Sequence, residues 1–140
     1  MVSRVFAAQR MPGVGWEALC DPTGTTVERA LVGGARADRV GYAFAIGYAM
    51  ALESLVGPGS AALCVTEDGG NHPRAIETRL VDGRVTGKKT WATLADRAAH
   101  LLVAARDGTD AARRPRLRVV RVRRDAAWPI CNRLLPHRES

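Results

Sequence analysis

Lysine is nearly missing from this chain. Of 21 basic residues only Lys88 and Lys89 are lysines, so the net charge of +7 is carried by arginine. Such a charge attracts phosphate on a nucleic acid, a CoA-type ligand or a dinucleotide, and does not choose among them. Cysteine is scarce as well: Cys20, Cys64 and Cys131 are far apart, odd in number and form no C-x-x-C. That pattern gives no sign of a disulfide framework or a zinc site, and it fits a reducing cytoplasm. Long apolar runs are absent. The 13 residues from Val40 to Leu52 lack charge, against the roughly 20 needed to cross a bilayer, so no membrane span is expected. Near the N-terminus only Val5 to Ala8 is apolar, too short for a secretory segment. His72, His100 and His137 have no metal-ligand spacing and read as surface or packing residues, so no metal site is expected. No serine sits in a Gly-x-Ser-x-Gly setting, which removes the hydrolase reading.

What is present suits one soluble globular domain: 140 residues, 46% hydrophobic and 25% charged. From Met1 to Pro22 the pattern is broken by Pro12, Gly13 and Gly15, with Trp16 and Leu19 expected to dock on the body. Thr25 and Glu28 have capping-box spacing, which predicts a short helix to about Val32, ending at Gly33-Gly34. A second helix is predicted over Ala37 to Val56, with Asp38 in its first turn and Gly57-Pro58-Gly59 as its stop. Val40, Phe44, Tyr48, Leu52 and Leu55 recur at helical spacing. Gly41 and Gly47 each cost on the order of 1 kcal/mol in a helix interior, so close approach of another backbone is expected there. Being apolar nearly all round, this helix wants cover on more than one side, from the β unit and from a partner subunit.

The segment Ala61 to Arg106 organises the rest. A strand over Ala61 to Thr66 leads into a loop from Glu67 to Pro73. A hairpin follows, with arms near Ala75 to Val81 and Arg84 to Ala92 joined at Asp82-Gly83, a strong hairpin signal. Its first arm alternates Ile76, Thr78 and Leu80 against Glu77, Arg79 and Val81, leaving one face wet. Ala98 to Ala105 reads as another strand, with a helix still possible, and Asp107 to Arg114 as a polar loop. Arg116 to Arg123 alternates around a doubled valine, which predicts a bulge at Val119-Val120. The seven arginines from Arg113 to Arg124 would then form one solvated basic face.

The stretch VTEDGGNHPRAIETRLVDGRVTGKKTWAT resembles the middle domain of the acyl-CoA dehydrogenases. In that family a strand ends in Val-Thr-Glu-Pro-x-Ala-Gly-Ser-Asp, and a hairpin then carries Asn-Gly-x-Lys followed by Trp-Ile-Thr-Asn. Val65-Thr66-Glu67 match the first motif, and Gly87-Lys88-Lys89 with Trp91-Ala92-Thr93 match the second. The resemblance implies an α+β fold, short N-terminal helices (1–59) packed on an antiparallel β-barrel-like middle domain (60–125), with an irregular tail over 126–140. It implies an FAD-dependent oxidation of an acyl-CoA thioester. Thr66 would bond the flavin's pyrimidine edge, Trp91 would pack on the ring and Thr93 would reach N5. The Pro-x-Ala-Gly-Ser-Asp segment is replaced by Asp68 to Pro73, where Gly69, Gly70 and Asn71 could present amides to a phosphate.

By the same resemblance the catalytic base comes from a C-terminal helical domain, and no residue here matches it. The chain is therefore expected to be inactive alone, and is either a naturally minimal barrel or one whose reading frame is interrupted; the second is favoured, since Trp128, Pro129, Cys131 and Pro136 of 126–140 suit neither strand nor helix. A homo-oligomer or partner subunit is expected. The alternative is a non-catalytic, arginine-rich β-barrel module that binds nucleic acid or a protein. Against nucleic acid, no aromatic residue interleaves the arginines before Trp128.

Overall fold

The computed structural model describes residues 23–70 and 72–126. Trp16, Leu19, Cys20, Asn71, Trp128, Cys131 and His137, and the expected tail beyond Ala126, lie outside the described residues. Among the described residues two α-helices and a five-stranded mixed sheet make up an α+β fold.

Helix α1 (Thr26–Arg36) starts at the predicted capping box: the Glu28 amide donates to Thr25 Oγ1 at 3.3 Å and the Thr25 amide to Glu28 Oε2 at 2.9 Å. It does not stop at Gly33-Gly34. The helix runs through both glycines, and the Ala37 amide closes it on the Gly33 carbonyl at 3.1 Å. Helix α2 (Val40–Val56) starts later than predicted, with Arg39 at its N-cap and Asp38 outside the first turn. It ends at Gly57, whose φ of 86° is open to glycine. Ile46 and Met50 pack against Ala30 of α1, and Arg29 of α1 bonds Glu53 of α2 at 2.6 Å. The buried face of α2 carries Ala45, Ile46, Met50 and Leu52, whereas Val40, Phe44 and Leu55 are exposed. Helical spacing alone did not identify the inner face, because every face of this helix is apolar.

Strand β4 (His100–Thr109) is central. On one side it pairs in parallel with β1 (Ala61–Cys64) and, through the Arg79 and Arg106 pair, with β2 (Arg79–Val81). On its other side β5 (Pro115–Arg123) runs antiparallel to it. Strand β2 turns into β3 (Arg84–Thr86) at Asp82 (φ 49°) and Gly83 (φ 74°), the left-handed pair that a two-residue hairpin turn needs. The predicted inward set Ile76, Thr78 and Leu80 does point in, but the arms are shorter than predicted.

Two expectations are corrected. The described sheet does not close into an antiparallel barrel: β1 and β2 are parallel to β4, and no pairing among the described strands joins β3 back to β5. Nor is there a bulge at Val119-Val120. The β4–β5 register is unbroken from His100–Arg123 to Arg106–Leu117, and the irregularity falls between Arg106 and Thr109. Strict alternation therefore divides the arginines. Arg118 lies on the face of Val120 and Val122, while Arg121 and Arg123 lie on the face of Leu117 and Val119. A continuous basic face is lost as a result.

The sheet buries both of its sides. Ala62, Cys64, Leu101 and Val103 pack with Ala98, under Val85, Ala92 and Ala95. On the reverse side Ala61 and Leu102 meet Leu52, Tyr48 and Val56 of α2.

Gly87, just after β3, is where the hairpin presses on the strand before it. A Cβ built there would lie 2.6 Å from Thr78 Cα. Thr78 is itself buried and tied down, so it has no room to yield. Gly87→Ala is expected to lower stability by about 1–3 kcal/mol or more. Urea denaturation checks this, with Gly83 left unchanged as the control for the turn.

Candidate functional site

Glu67 follows β1 and is only 7% exposed. One carboxylate oxygen accepts from Lys89 Nζ at 2.6 Å, from Thr78 Oγ1 at 2.6 Å and from the Thr78 amide at 3.1 Å. The other accepts from the Glu77 amide at 2.6 Å. Burial alone would raise the pKa of this group. The Lys89 bond, then the Thr78 hydroxyl and the two amides, outweigh burial and hold the pKa at about 2. Lys89 also donates to the Val65 carbonyl at 3.2 Å. Three segments distant in sequence are thus fixed at one point: the end of β1, the approach to β2 and the stretch after β3.

The same fixing lays Thr90 beside Thr66, whose carbonyl accepts the Thr90 amide at 2.9 Å. Ala92 packs against the core beneath β1 and β4, and with Trp91 and Thr93 it borders the same cavity. Leu94 ends the stretch with φ 63°, a left-handed conformation unusual for a bulky side chain. Its carbonyl accepts the amides of Arg97 at 3.0 Å and Ala98 at 2.9 Å.

Thr66, Trp91 and Thr93 come together around one open cavity of about 490 Å³, completed by Tyr48, Leu63 and Val65. Trp91 is 66% exposed, so its indole is a surface available to a ligand rather than a core side chain. Tyr48 was not singled out by the sequence. It reaches from α2, and its hydroxyl accepts the Leu63 amide at 2.8 Å, which leaves the phenolic proton to donate. Burial raises its pKa, partly opposed by the Leu63 bond and reinforced by the neighbouring Cys64. The phenol is therefore neutral at physiological pH. Among the described residues no charged side chain lines this cavity. An apolar wall with three hydroxyls suits a planar, polar-edged ring.

Gly70 stands outside this group of lining residues. Its amide donates to the Glu67 carbonyl at 2.8 Å, closing a tight turn. A phosphate therefore finds that amide already bonded. Of the histidines, His72 Nδ1 accepts the Arg74 amide at 3.1 Å and His100 lies 3.3 Å from Arg121. Among the described residues no group of three or more His, Cys, Asp or Glu could hold a metal ion, and no helix is long and apolar enough to cross a membrane.

On the strand predicted to be a basic face, Arg116 and Arg118 share Asp107, and Arg123 pairs with Asp125. These carboxylates answer much of the charge that a nucleic acid would have met. No family model, curated protein or solved structure matches the chain.

The Glu67 knot sets a pH dependence. A carboxyl held near 2 when folded, against an ordinary value of 4.5, contributes stability that is complete above about pH 5 and is lost as pH falls toward 2. Glu67→Gln is expected to lower stability at pH 7 by about 3–5 kcal/mol, because it leaves Lys89 buried without its partner. The gap from the parent protein should narrow as pH falls from 5 to 2. Urea midpoints measured across that range check both points.

Proposed function

We propose that this chain binds the isoalloxazine ring of a flavin, as the acyl-CoA dehydrogenase middle domain does, and that alone it binds without turnover. The observation that carries this is the meeting of Thr66, Trp91 and Thr93 at one uncharged, open cavity. Two further contacts support it. Glu67 and Lys89, one from each of the two family-like motifs, bond each other at 2.6 Å. Leu94, which stands where the family motif has asparagine, adopts the left-handed conformation that asparagine takes readily.

The residues fit the ring end of the cofactor. Trp91 offers a flat apolar face, and Thr66, Thr93 and Tyr48 offer hydroxyls at its border. FAD is the family's cofactor, and a flavin when bound accepts hydride at N5. The acyl-CoA thioester is the corresponding substrate. Its oxidation requires a carboxylate base beside the ring, and among the described residues none lines the cavity. Glu67 cannot serve, since Lys89, Thr78 and two amides hold it as a weakly basic carboxylate.

Titration with riboflavin, FMN and FAD, read by quenching of flavin fluorescence, tests the proposal. All three should bind with similar affinity if the ring alone is held. Trp91→Ala should weaken binding about tenfold, and Thr66→Val or Thr93→Val by about threefold to tenfold. No acyl-CoA-dependent bleaching of the flavin should follow. Absence of binding by all three ligands at millimolar concentration would sink the proposal.

A further inference from the structure

Helix α2 carries an apolar face that nothing in the described structure covers. At 100° per residue, Val40, Phe44, Ala51 and Leu55 fall within roughly 60° of one another, and Tyr48, packed on the sheet, stands at their border. Val40 is 88% exposed, Phe44 62% and Leu55 79%, and Ala51 is exposed too. The one charged residue of α2 is Glu53, which bonds Arg29 of α1 on the opposite side. The face is therefore free of charge along its whole length. Contiguous apolar patches of this kind mark interaction surfaces.

The two interior glycines carry a second, separate indication. Close approach of another backbone was expected at Gly41 and Gly47, yet a Cβ at either would meet nothing within 4 Å. Each glycine costs on the order of 1 kcal/mol against alanine in a helix. Among the described residues nothing packs there in return for that cost. Both glycines flank the apolar face, where a second helix would lie.

We propose that this face pairs with the same face of a second copy of the chain, the two α2 helices antiparallel about a two-fold axis between Gly47 and Tyr48. The spacing is self-complementary about that point. Phe44 meets the partner's Ala51 and Val40 meets the partner's Leu55, while Gly47 beside the axis leaves room for close approach. Each large side chain thus faces a small one at the centre, and two aliphatic ones meet at the ends, as an isologous interface requires. The arrangement also brings Arg39, at the N-cap of α2, to the partner helix's C-terminal carbonyls, where a cation is favoured. The pairing stands on the helix alone and does not depend on flavin binding.

Sedimentation velocity and light scattering on the full chain across micromolar to submillimolar concentration test this. A dimer is expected, and Ala51→Glu, at an exposed helical position, should weaken it at least tenfold while leaving the helical circular dichroism unchanged. The register is tested by exchanging the pair. Ala51→Phe alone sets two phenylalanines against each other and should break the dimer; Phe44→Ala with Ala51→Phe restores one large and one small residue at each contact and should recover it. A chain that stays monomeric throughout, a dimer indifferent to folded Ala51→Glu, or a double variant that fails to recover while folded would each overturn the proposal.

Discussion

The bond between Glu67 and Lys89 is the constraint from which the site follows. Both groups are nearly buried, at 7% and 12% side-chain exposure, and a buried ion pair is often no more stabilising than a well-packed apolar pair. Its value here is positional. Lys89 also holds the Val65 carbonyl, and Glu67 also holds Thr78 and the Glu77 amide. These groups come from three stretches of chain, the end of β1, the approach to β2 and the segment after β3, so only one mutual arrangement satisfies all the polar atoms. Apolar side chains could fill the same space, but they would tolerate sliding by an ångström or more, because they carry no directional bonds.

Around this point the sheet solves two problems with one strand. β4 accepts β1 and β2 on one side and β5 on the other, and both its faces are covered. It reads accordingly as a nearly continuous apolar run, Leu101 to Ala105, in place of an alternating one. The short strands β2 and β3 alternate because each has a wet side. β1 is too short to be held by its own ladder alone, and Tyr48 of α2 bonds the Leu63 amide along its other edge. Helix and sheet thus meet at the border of the cavity, where an aromatic from α2 stands near an aromatic from the stretch after β3.

Much of the local structure was legible in the residues themselves. Thr25 and Glu28 announced the start of α1, Asp82-Gly83 the hairpin and Gly57 the end of α2, because each depends on atoms within a few residues. The grouping of Thr66 with Trp91 and Thr93 was legible only through family likeness, since no spacing rule links an end of β1 to a segment beyond a hairpin. Tyr48 had no such likeness to reveal it. The doubled valine of β5 misled for a physical reason: an edge strand need not keep every valine covered, and Val119 is 60% exposed in an unbroken register.

What the sequence determined alone, then, is where chain direction changes and which runs are apolar, both of which follow from backbone preference and short-range bonding. Tertiary structure decided which side of α2 faces inward, which arginines meet a carboxylate and which polar groups surround the cavity. Those outcomes depend on pairing partners tens of residues away. A helix apolar on every side and a strand with arginines on both faces carry no local mark of their orientation. Only packing against β1, β4 and α1 could choose it.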